Sequence, residues 1–378
     1  MRSRILLSAG LLLCILLLSA GCTQQVPGAQ GTTIPATGVP AAPVTTTVLG
    51  TPAPQPTSPG ISIVVTTAPL ARGRPDPAFV VDIDIPEKIQ PGTTLLIDNH
   101  DLSSPRIVEV NRLGEIVWEY PLPQEQKQYT NPGWDVELLP NGNILTLLPR
   151  YGVLEINRNK QVIWKYLDAK VSHDADRLPD GNTLIAYGAY DTAADPQVKE
   201  VDASGKRVWS WYAKDLFSGG NYSSISDEGW THTNAVSRLE NGNTLVSLRN
   251  FDFIAEVNHD GKLVRKIGEG LLEAQHDPLV LPNGNILLAN HARPNQILEL
   301  DTTGAVIWRF PVPDRASMPV RDANRLVNGN TLITEADRIV EVTPAKEVVW
   351  EFRLTTEPFT DKLSSSSRGF YKAERIAG

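Results

Sequence analysis

Gly242-Asn-Thr-Leu-Val-Ser247 is one of six places where a glycine is followed at once by a short hydrophobic strand. The six glycines are Gly92, Gly142, Gly181, Gly242, Gly284 and Gly329. Five of them read Gly-Asn, usually after Asn or Asp, which is the preferred chemistry of a tight hairpin turn. The intervals of 50, 39, 61, 42 and 45 residues lie near the roughly 40–45 residues of a four-stranded propeller blade. The spacing therefore predicts an all-β chain folded as a six-bladed β-propeller.

A second pattern follows each glycine, in which a strand carries a glutamate and a large residue stands nine positions later. The glutamates are Glu109, Glu155, Glu200, Glu256, Glu299 and Glu341. The residues nine positions on are Trp118, Trp164, Trp209, Arg265, Trp308 and Trp350. Because the separation is constant, both positions belong to one hairpin with a fixed turn, and strand alternation puts the tryptophans on one face. We expect structural roles for both sets, with the tryptophans between blades and Arg265 facing a different neighbour.

The C-terminus supplies a strand that the first unit lacks. The unit that begins at Gly92 has no strand of the type that precedes the glycine elsewhere, and residues Tyr371 to Ile376 match that missing strand. We therefore expect the C-terminal strand to complete the first blade and close the ring, which removes the exposed edges of an open sheet.

The N-terminal residues before the repeats predict export. Arg2 and Arg4 precede an apolar run that ends in Leu-Ser-Ala-Gly-Cys22, which resembles a lipoprotein signal. Residues 1–21 are therefore predicted to be a signal peptide and Cys22 the lipidated residue, with an uncleaved signal anchor as the alternative. Residues 22–75 are rich in Pro, Thr and Ala, which predicts a disordered tether. The propeller then spans residues 76–378, and the protein is expected outside the cytoplasm, lipid-anchored to the cell membrane.

Composition excludes several classes of partner. The formal net charge is −8, and no stripe of Lys or Arg interrupts the body, so neither nucleic acid nor an anionic membrane surface is an expected partner. Of the two cysteines, Cys14 lies in the predicted signal peptide. The exported part therefore has no disulfide and must be held together by its core. The sequence predicts no particular oligomeric state.

Candidate functional residues converge because the innermost strand of each blade lines the central axis. The position eight residues before each glycine is occupied by Trp134, His173, Asn234, His276 and Arg321, with Tyr371 equivalent in the completed blade. His232 stands two residues before Asn234, and Arg249 and His291 share a register seven residues after their glycines. A group of His and Arg donors suits a tetrahedral oxyanion such as sulfate or phosphate. A metal bound by His-Asp pairs, or a satisfied polar network that lines water, are the alternatives.

At these residues the sequence resembles the PAPS-independent arylsulfate sulfotransferases, which are exported six-bladed propellers. Glu228-Gly-Trp-Thr-His232-Thr-Asn-Ala-Val looks like the Asp-Trp-x-His-x-Asn-Ser-Ile motif of that family, and Val246-Ser-Leu-Arg249 looks like its Ser-Ser-Arg segment. Gln275-His276-Asp matches the motif of the nucleophilic histidine, and Ser172-His173-Asp matches an earlier histidine motif.

The resemblance implies sulfuryl transfer from an aryl sulfate to a phenolic acceptor in a ping-pong mechanism. It implies His276 as the nucleophile and His173, His232 and Arg249 as stabilisers of charge, with one of the two histidines passing a proton to and from the phenol. The residues expected to contact substrate are His291, Arg321, Trp134, Tyr371 and Asn234. No metal or other cofactor is implied, since the donor already carries the activated group. Well-studied members have an N-terminal β-rich domain and a disulfide that this chain lacks, so their dimer contacts do not transfer.

Two other functions stay open at the level of sequence. The first is a non-catalytic propeller, a scaffold or ligand-binding lipoprotein of the cell envelope. The second is a quinone-cofactor dehydrogenase, because the hairpin from Asp202 to Trp209 resembles quinoprotein repeats. Such dehydrogenases generally need eight blades, an acidic calcium site and often paired cysteines, and the sequence carries none of these.

Overall fold

The computed structural model describes residues 71–130, 133–223, 226, 228–312, 319–355 and 368–377. The predicted signal peptide, Cys22 and residues 22–70 of the predicted tether lie outside these ranges. Residues 71–75, also assigned to the tether, lie against the first blade: the backbone of Arg74 exchanges two hydrogen bonds with Ile116, at 2.9 and 2.8 Å. None of the helices in the described ranges has the length and apolar character that a membrane crossing requires.

Six antiparallel sheets surround one axis, which confirms the predicted all-β, six-bladed propeller. From the axis outward, blade one is β25 (Phe370–Ala377), β2 (Gly92–Asp98), β3 (Arg106–Val110) and β4 (Ile116–Pro121). Blade two is β5 (Asp135–Leu138), β6 (Ile144–Leu148), β7 (Gly152–Ile156) and β8 (Val162–Leu167). Blade three is β9 (Ala175–Arg177), β10 (Thr183–Ala186), β11 (Val198–Val201) and β12 (Arg207–Trp211).

The other three blades repeat this order. Blade four is β13 (Thr233–Arg238), β14 (Thr244–Leu248), β15 (Phe253–Val257) and β16 (Leu263–Ile267). Blade five is β17 (His276–Val280), β18 (Ile286–Asn290), β19 (Gln296–Leu300) and β20 (Val306–Pro311). Blade six is β21 (Val320–Arg325), β22 (Thr331–Glu335), β23 (Arg338–Val342) and β24 (Val348–Leu354). Short 3₁₀ helices in the connections are Lys127–Tyr129, Ala213–Asp215, Gly220–Tyr222 and Arg249–Phe251.

The first and last strands of the described chain belong to blades six and one, where the ring of blades closes. Strand β25 pairs antiparallel with β2, with Leu96 opposite Ala373, which confirms that the C-terminal strand completes the first blade. Strand β1 (Phe79–Asp84), which the repeat did not predict, pairs with β24 as a fifth, outermost strand of blade six. It covers Val349, which is fully buried, whereas the equivalent Ile307 of blade five is half exposed.

Neighbouring blades are joined by a repeated contact between an indole and a backbone carbonyl. The indole N–H of each hairpin tryptophan donates to a carbonyl of the next blade over 2.8–3.0 Å: Trp118 to Arg158, Trp164 to Ala203, Trp209 to His259, Trp308 to Pro344 and Trp350 to Arg112. An arginine lies over each indole and pairs with the glutamate of the same hairpin, as Arg238 does with Trp209 and Glu200. Glu and Trp therefore form a seam between blades, as their constant spacing predicted.

Arg265 takes the place of tryptophan in blade four, and it faces the equivalent neighbour rather than a different one. Its Nη1 donates to the carbonyl of Thr302 in blade five, and its Nε donates to Glu256 over 2.7 Å. The next blade has Val280 where four others carry the pairing arginine, namely Arg177, Arg238, Arg325 and Arg375. The guanidinium group of Arg265 thus both contacts the next blade and neutralises Glu256.

Candidate active site

Irregularities in the sheets bring the candidate residues to the axis. In two blades, one residue near the start of the innermost strand has no partner in the second strand. This residue is Asn234 in blade four and Arg321 in blade six. Blade five and the closing strand skip two residues each, after His276 and after Phe370. In blade three Ser172 and Asp174 both bond to Ala186, which leaves His173 between them. Such β-bulges free the extra residue from the ladder and redirect its side chain.

The bulged residues share one narrow cavity on the axis. It is lined by His173, Asn234, His276, Asp277, Arg321, Tyr371 and Lys372. The space open to the centre of a water-sized sphere is about 10 Å³, enough for roughly one water molecule. Five of the six residues at the predicted axial position therefore converge.

Trp134 is the exception among the predicted axial residues. Its side chain is fully buried in the hydrophobic core of blades one and two, and its indole N–H donates to Oγ1 of Thr146 over 2.9 Å. The pairing of β5 with β6 has no bulge. Without one, strand alternation turns Trp134 away from the axis, so the prediction of substrate contact does not fit its position.

His173 and His232 form a hydrogen-bonded pair with defined tautomers. Their Nε2 atoms lie 3.2 Å apart, and Nδ1 of His232 lies 3.0 Å from the carbonyl of Glu228. Because a carbonyl only accepts, Nδ1 of His232 carries the proton. Neutral His232 then accepts at Nε2 from Nε2–H of His173, whose Nδ1 is in turn bonded by the Ser172 hydroxyl. Burial, reinforced by the positive charge of Arg249, lowers the pKa of His232 to about 4, and burial together with His232 and Arg249 holds that of His173 well below its usual value.

A buried carboxylate fixes the backbone at His232. His232 has a φ of 47°, in the left-handed region that few non-glycine residues occupy. The Asp191 carboxylate accepts hydrogen bonds from the backbone N–H groups of Thr231 and His232, at 3.1 and 3.2 Å, and from the Thr231 hydroxyl at 2.8 Å. Asp191 comes from the loop between β10 and β11 and matches no repeated position, so no sequence pattern pointed to it.

His276 presents a free nitrogen to the cavity. Its Nδ1–H donates to the carbonyl of Ala274 over 2.9 Å, which leaves the lone pair on Nε2. No other described residue makes a hydrogen bond to Nε2. Its ring stacks on His291, with centroids 4.2 Å apart and planes inclined by 18°. Burial, then His291 and Arg249, hold the pKa of His276 well below the ordinary histidine value, so His276 is a neutral base at physiological pH.

Arg249 contributes positive charge from beside the cavity. It opens the 3₁₀ helix after β14, and its Nη1 donates to Oε2 of Glu228 over 2.5 Å and to Oδ1 of Asn250 over 3.1 Å. The Glu228 side chain is 57% exposed, so the ion pair faces solvent. The charge of Arg249 depresses the pKa of all four histidines of the site, His173, His232, His276 and His291.

Arg321, Tyr371 and Asn234 complete the polar lining. The Arg321 guanidinium lies 4.9 Å from the centre of the Tyr371 ring and donates to the carbonyl of Phe370 over 2.8 Å. Burial lowers the pKa of Arg321 to about 10. The Asn234 amide donates to the carbonyl of Gln275 over 2.7 Å, and its Oδ1 has no hydrogen-bond partner among the described residues.

A group of carboxylates surrounds Lys372, which lines the same cavity as His173 and His276. Lys372 Nζ is 3.0 Å from Asp135, 3.2 Å from Asp277 and 3.7 Å from Asp174. Burial works against its charge, but these carboxylates, together with Asp322, raise its pKa well above the usual value. In five units these residues immediately follow the axial residue, so an alignment of that position across the repeats would have revealed them. Within the described ranges, no group of three or more His, Cys, Asp or Glu side chains is arranged to hold a metal ion.

One family model matches part of the chain. Residues 86–270 match the family model described as Arylsulfotransferase (ASST), which confirms the resemblance seen in the sequence. The matched residues include His173, His232 and Arg249, and end six residues before His276. No curated protein sequence matches the chain.

Solved structures share the fold at low sequence identity. A protein of unknown function from Bacteroides caccae matches with a TM-score of 0.53 and 21% identity, over 75% of this chain and 98% of its own. A streptogramin B lyase has a TM-score of 0.47 and 12% identity, over 75% and 90% of the two chains. Virginiamycin B lyase from Staphylococcus aureus has a TM-score of 0.44 and 12% identity, over 74% and 90%. These similarities concern the fold alone.

Proposed function

Because the chain carries an arylsulfotransferase-family domain, we propose that it transfers a sulfuryl group from a phenolic sulfate ester to a phenol through a sulfohistidine on His276. The observation that carries the proposal is the bare Nε2 of His276 beside the axial cavity, with its opposite nitrogen tied to Ala274. A neutral imidazole with a free lone pair is a competent nucleophile, and the depressed pKa keeps it so at neutral pH.

The first half-reaction cleaves the donor. Nε2 of His276 attacks sulfur, the bond between sulfur and the aryl oxygen breaks, and its electron pair leaves on the phenolate. The sulfuryl group is then bound to an imidazolium ring that keeps its Nδ1–H bond to Ala274. Arg249 and Arg321 supply positive charge for the sulfuryl oxygens and the departing phenolate, and losing one such donor typically costs about 10²–10³ in rate.

The second half-reaction restores the enzyme. The phenolic acceptor gives its proton to the neutral His173–His232 pair, its oxygen attacks sulfur, and the bond between sulfur and Nε2 breaks. The unperturbed pKa of a phenol is about 10, so a neighbouring base is needed at neutral pH. The proton leaves through the histidine pair to the phenolate or to solvent, which balances the two halves without a nucleotide or a metal.

Purified full-length protein incubated with p-nitrophenyl sulfate and phenol tests this proposal. We expect release of nitrophenolate and formation of phenyl sulfate, with loss of at least about 10³-fold in the His276→Ala variant. His259→Ala is the matched control, because His259 is an exposed histidine in the β15–β16 turn. Activity that survives in His276→Ala contradicts the nucleophile. Absence of turnover with several donors and acceptors favours a non-catalytic binding protein instead.

We further propose that the protein is held at the cell envelope by a lipid on Cys22. The support is the sequence of the first 22 residues, where a basic start and an apolar run precede Leu-Ser-Ala-Gly-Cys. Cys22→Ser should move the protein from the membrane fraction to the soluble fraction. Equal partition of the two forms contradicts the anchor.

A further inference from the structure

His291 lies behind the proposed nucleophile rather than at the cavity. It follows β18 by one residue, and it is not among the described residues that line the axial space. Its ring lies nearly parallel to that of His276, with centroids 4.2 Å apart, slightly closer than the roughly 4.5–7 Å typical of aromatic pairs.

The His291 ring is itself firmly held. Its Nε2–H donates to the carbonyl of Val320 over 2.6 Å, and its backbone N–H donates to the carbonyl of Glu273 over 3.1 Å. Val320 begins the inner strand of blade six, whereas Glu273 precedes that of blade five. Two blades therefore fix the face that His291 presents. Burial lowers the pKa of His291 to about 4, so the ring is neutral and does not repel a positively charged neighbour.

His276 needs such a support because one hydrogen bond does not define its ring plane. The bond from Nδ1 to Ala274 fixes one edge of the imidazole, and rotation about that edge would swing Nε2 away from the cavity. A flat contact across the ring face removes this freedom. A displacement of the order of 1 Å in a reacting atom can cost about 10² in rate, so the second constraint bears directly on attack.

We propose that His291 is a positioning residue, whose ring face holds the plane of His276 so that Nε2 stays directed at the sulfur. It neither contacts the sulfuryl group nor carries a proton in the reaction, in contrast to the substrate contact predicted from sequence. The inference rests on the proposed function of His276.

Two substitutions separate stacking from polar roles. His291→Phe keeps a flat ring and removes both nitrogens, whereas His291→Ala removes the ring. We expect His291→Ala to lower kcat for p-nitrophenyl sulfate about 3- to 10-fold, the magnitude of an aromatic pair, with KM unchanged. His291→Phe should recover kcat to within about 2-fold of the native protein. Equal losses in the two variants, or a raised KM in both, would show a polar or substrate-binding role and overturn the proposal.

A readout that needs no turnover keeps this test separate from the proposed activity. Nitrogen-15 NMR of histidine-labelled protein reports the tautomer and pKa of each of the six histidines. In the native protein and in His291→Phe, His276 should stay neutral with its proton on Nδ1 at pH values where an ordinary histidine, with a pKa of about 6.5, is already protonated. In His291→Ala its signals should broaden or average, and its pKa should rise. An inactive protein with this pattern contradicts only the proposed function. Unchanged His276 signals in His291→Ala overturn the positioning role, whatever the activity.

Discussion

Replacing Arg375 by methionine tests whether the closing strand is held by charge as well as by its backbone ladder. Arg375 lies on β25, and its Nη2 is 3.0 Å from Oε2 of Glu341 in blade six, an ionic contact without the alignment of a hydrogen bond. The guanidinium also lies over the Trp350 ring at 5.0 Å and donates to the carbonyl of Gln90 over 2.6 Å. The substitution removes all three contacts but keeps an unbranched stem against the indole.

The magnitude follows from burial. The Arg375 and Glu341 side chains are 2% and 0% exposed, and breaking a buried pair by removing one partner costs about 3–5 kcal/mol because the other charge stays uncompensated. Glu341 retains hydrogen bonds from Asn330 and from the backbone N–H of Gln90, both at 2.7 Å. We therefore expect the lower end of this range, a loss of about 3 kcal/mol in the free energy of unfolding.

Urea unfolding of the full chain, followed by the fluorescence of its eight tryptophans, measures this loss. Arg353→Met is the matched control, since Arg353 pairs with Asp82 at the outer edge of blade six with both side chains well exposed, and should cost at most about 1 kcal/mol. Adding Glu341→Gln to Arg375→Met should recover at least about 1 kcal/mol by removing the stranded charge. The reasoning is refuted if Arg375→Met costs no more than the control, or if the second substitution makes the loss larger.

Three further outcomes are expected. The kcat/KM for the phenolic acceptor, which reports the second half-reaction, should stay level from about pH 8 to about pH 5 and fall only near pH 4, because the lowered pKa of His232 keeps the base form below the ordinary histidine value of about 6.5; a fall centred near pH 6.5 contradicts this. Asp191→Asn should lower kcat about 10-fold or more, since its carboxylate holds the left-handed backbone at His232, whereas Asp195→Asn in the same loop should not. Lys372→Met should destabilise the fold more at about pH 8 than at about pH 5. Without the ammonium group, the buried carboxyl groups stay protonated in the folded variant, whereas the same groups in the unfolded chain lose their protons above about pH 4. The free energy of unfolding of the variant therefore falls as the pH rises. Urea midpoints of the native protein and the variant at the two pH values measure this, and an equal loss at both contradicts it.

The seam between blades could be predicted because every blade meets the next in the same geometry. A tryptophan that reaches a carbonyl in one blade does so in each, so Glu and Trp recur at a constant spacing. The exception at Arg265 could not be interpreted from its own hairpin, since the arginine whose place it takes beside Glu256 would come from the following blade, where Val280 stands. Strand β1 was missed for a related reason: it repeats nothing, and only the exposed edge of β24 explains its position.

The repeats predicted which sequence position reaches the axis, but not how the side chains at that position are oriented. Strand alternation alone would direct either the axial residue or its successor to the axis, whereas the bulges admit both, so His276 and Asp277 line one cavity, as do Tyr371 and Lys372. Where the bulge is missing, Trp134 turns into the core. A bulge depends on how two strands pair. Aligning the repeats shows which residue occupies the axial position, but not how its strand pairs with the next one.

Variation along the axial column is not by itself a sign of function. Equivalent side chains from several blades meet in one small space at the axis, so identical charges would repel one another there, and a charged residue at this position must vary from blade to blade. What distinguishes this axis is the fixing of proton positions by single acceptors outside the column. Backbone carbonyls at Ala274, Glu228 and Val320 each hold one histidine nitrogen, and burial keeps the three rings neutral. A network that only filled space would leave no reason for His276 to turn its unprotonated nitrogen towards the cavity, and this orientation is the feature on which the nucleophile assignment rests.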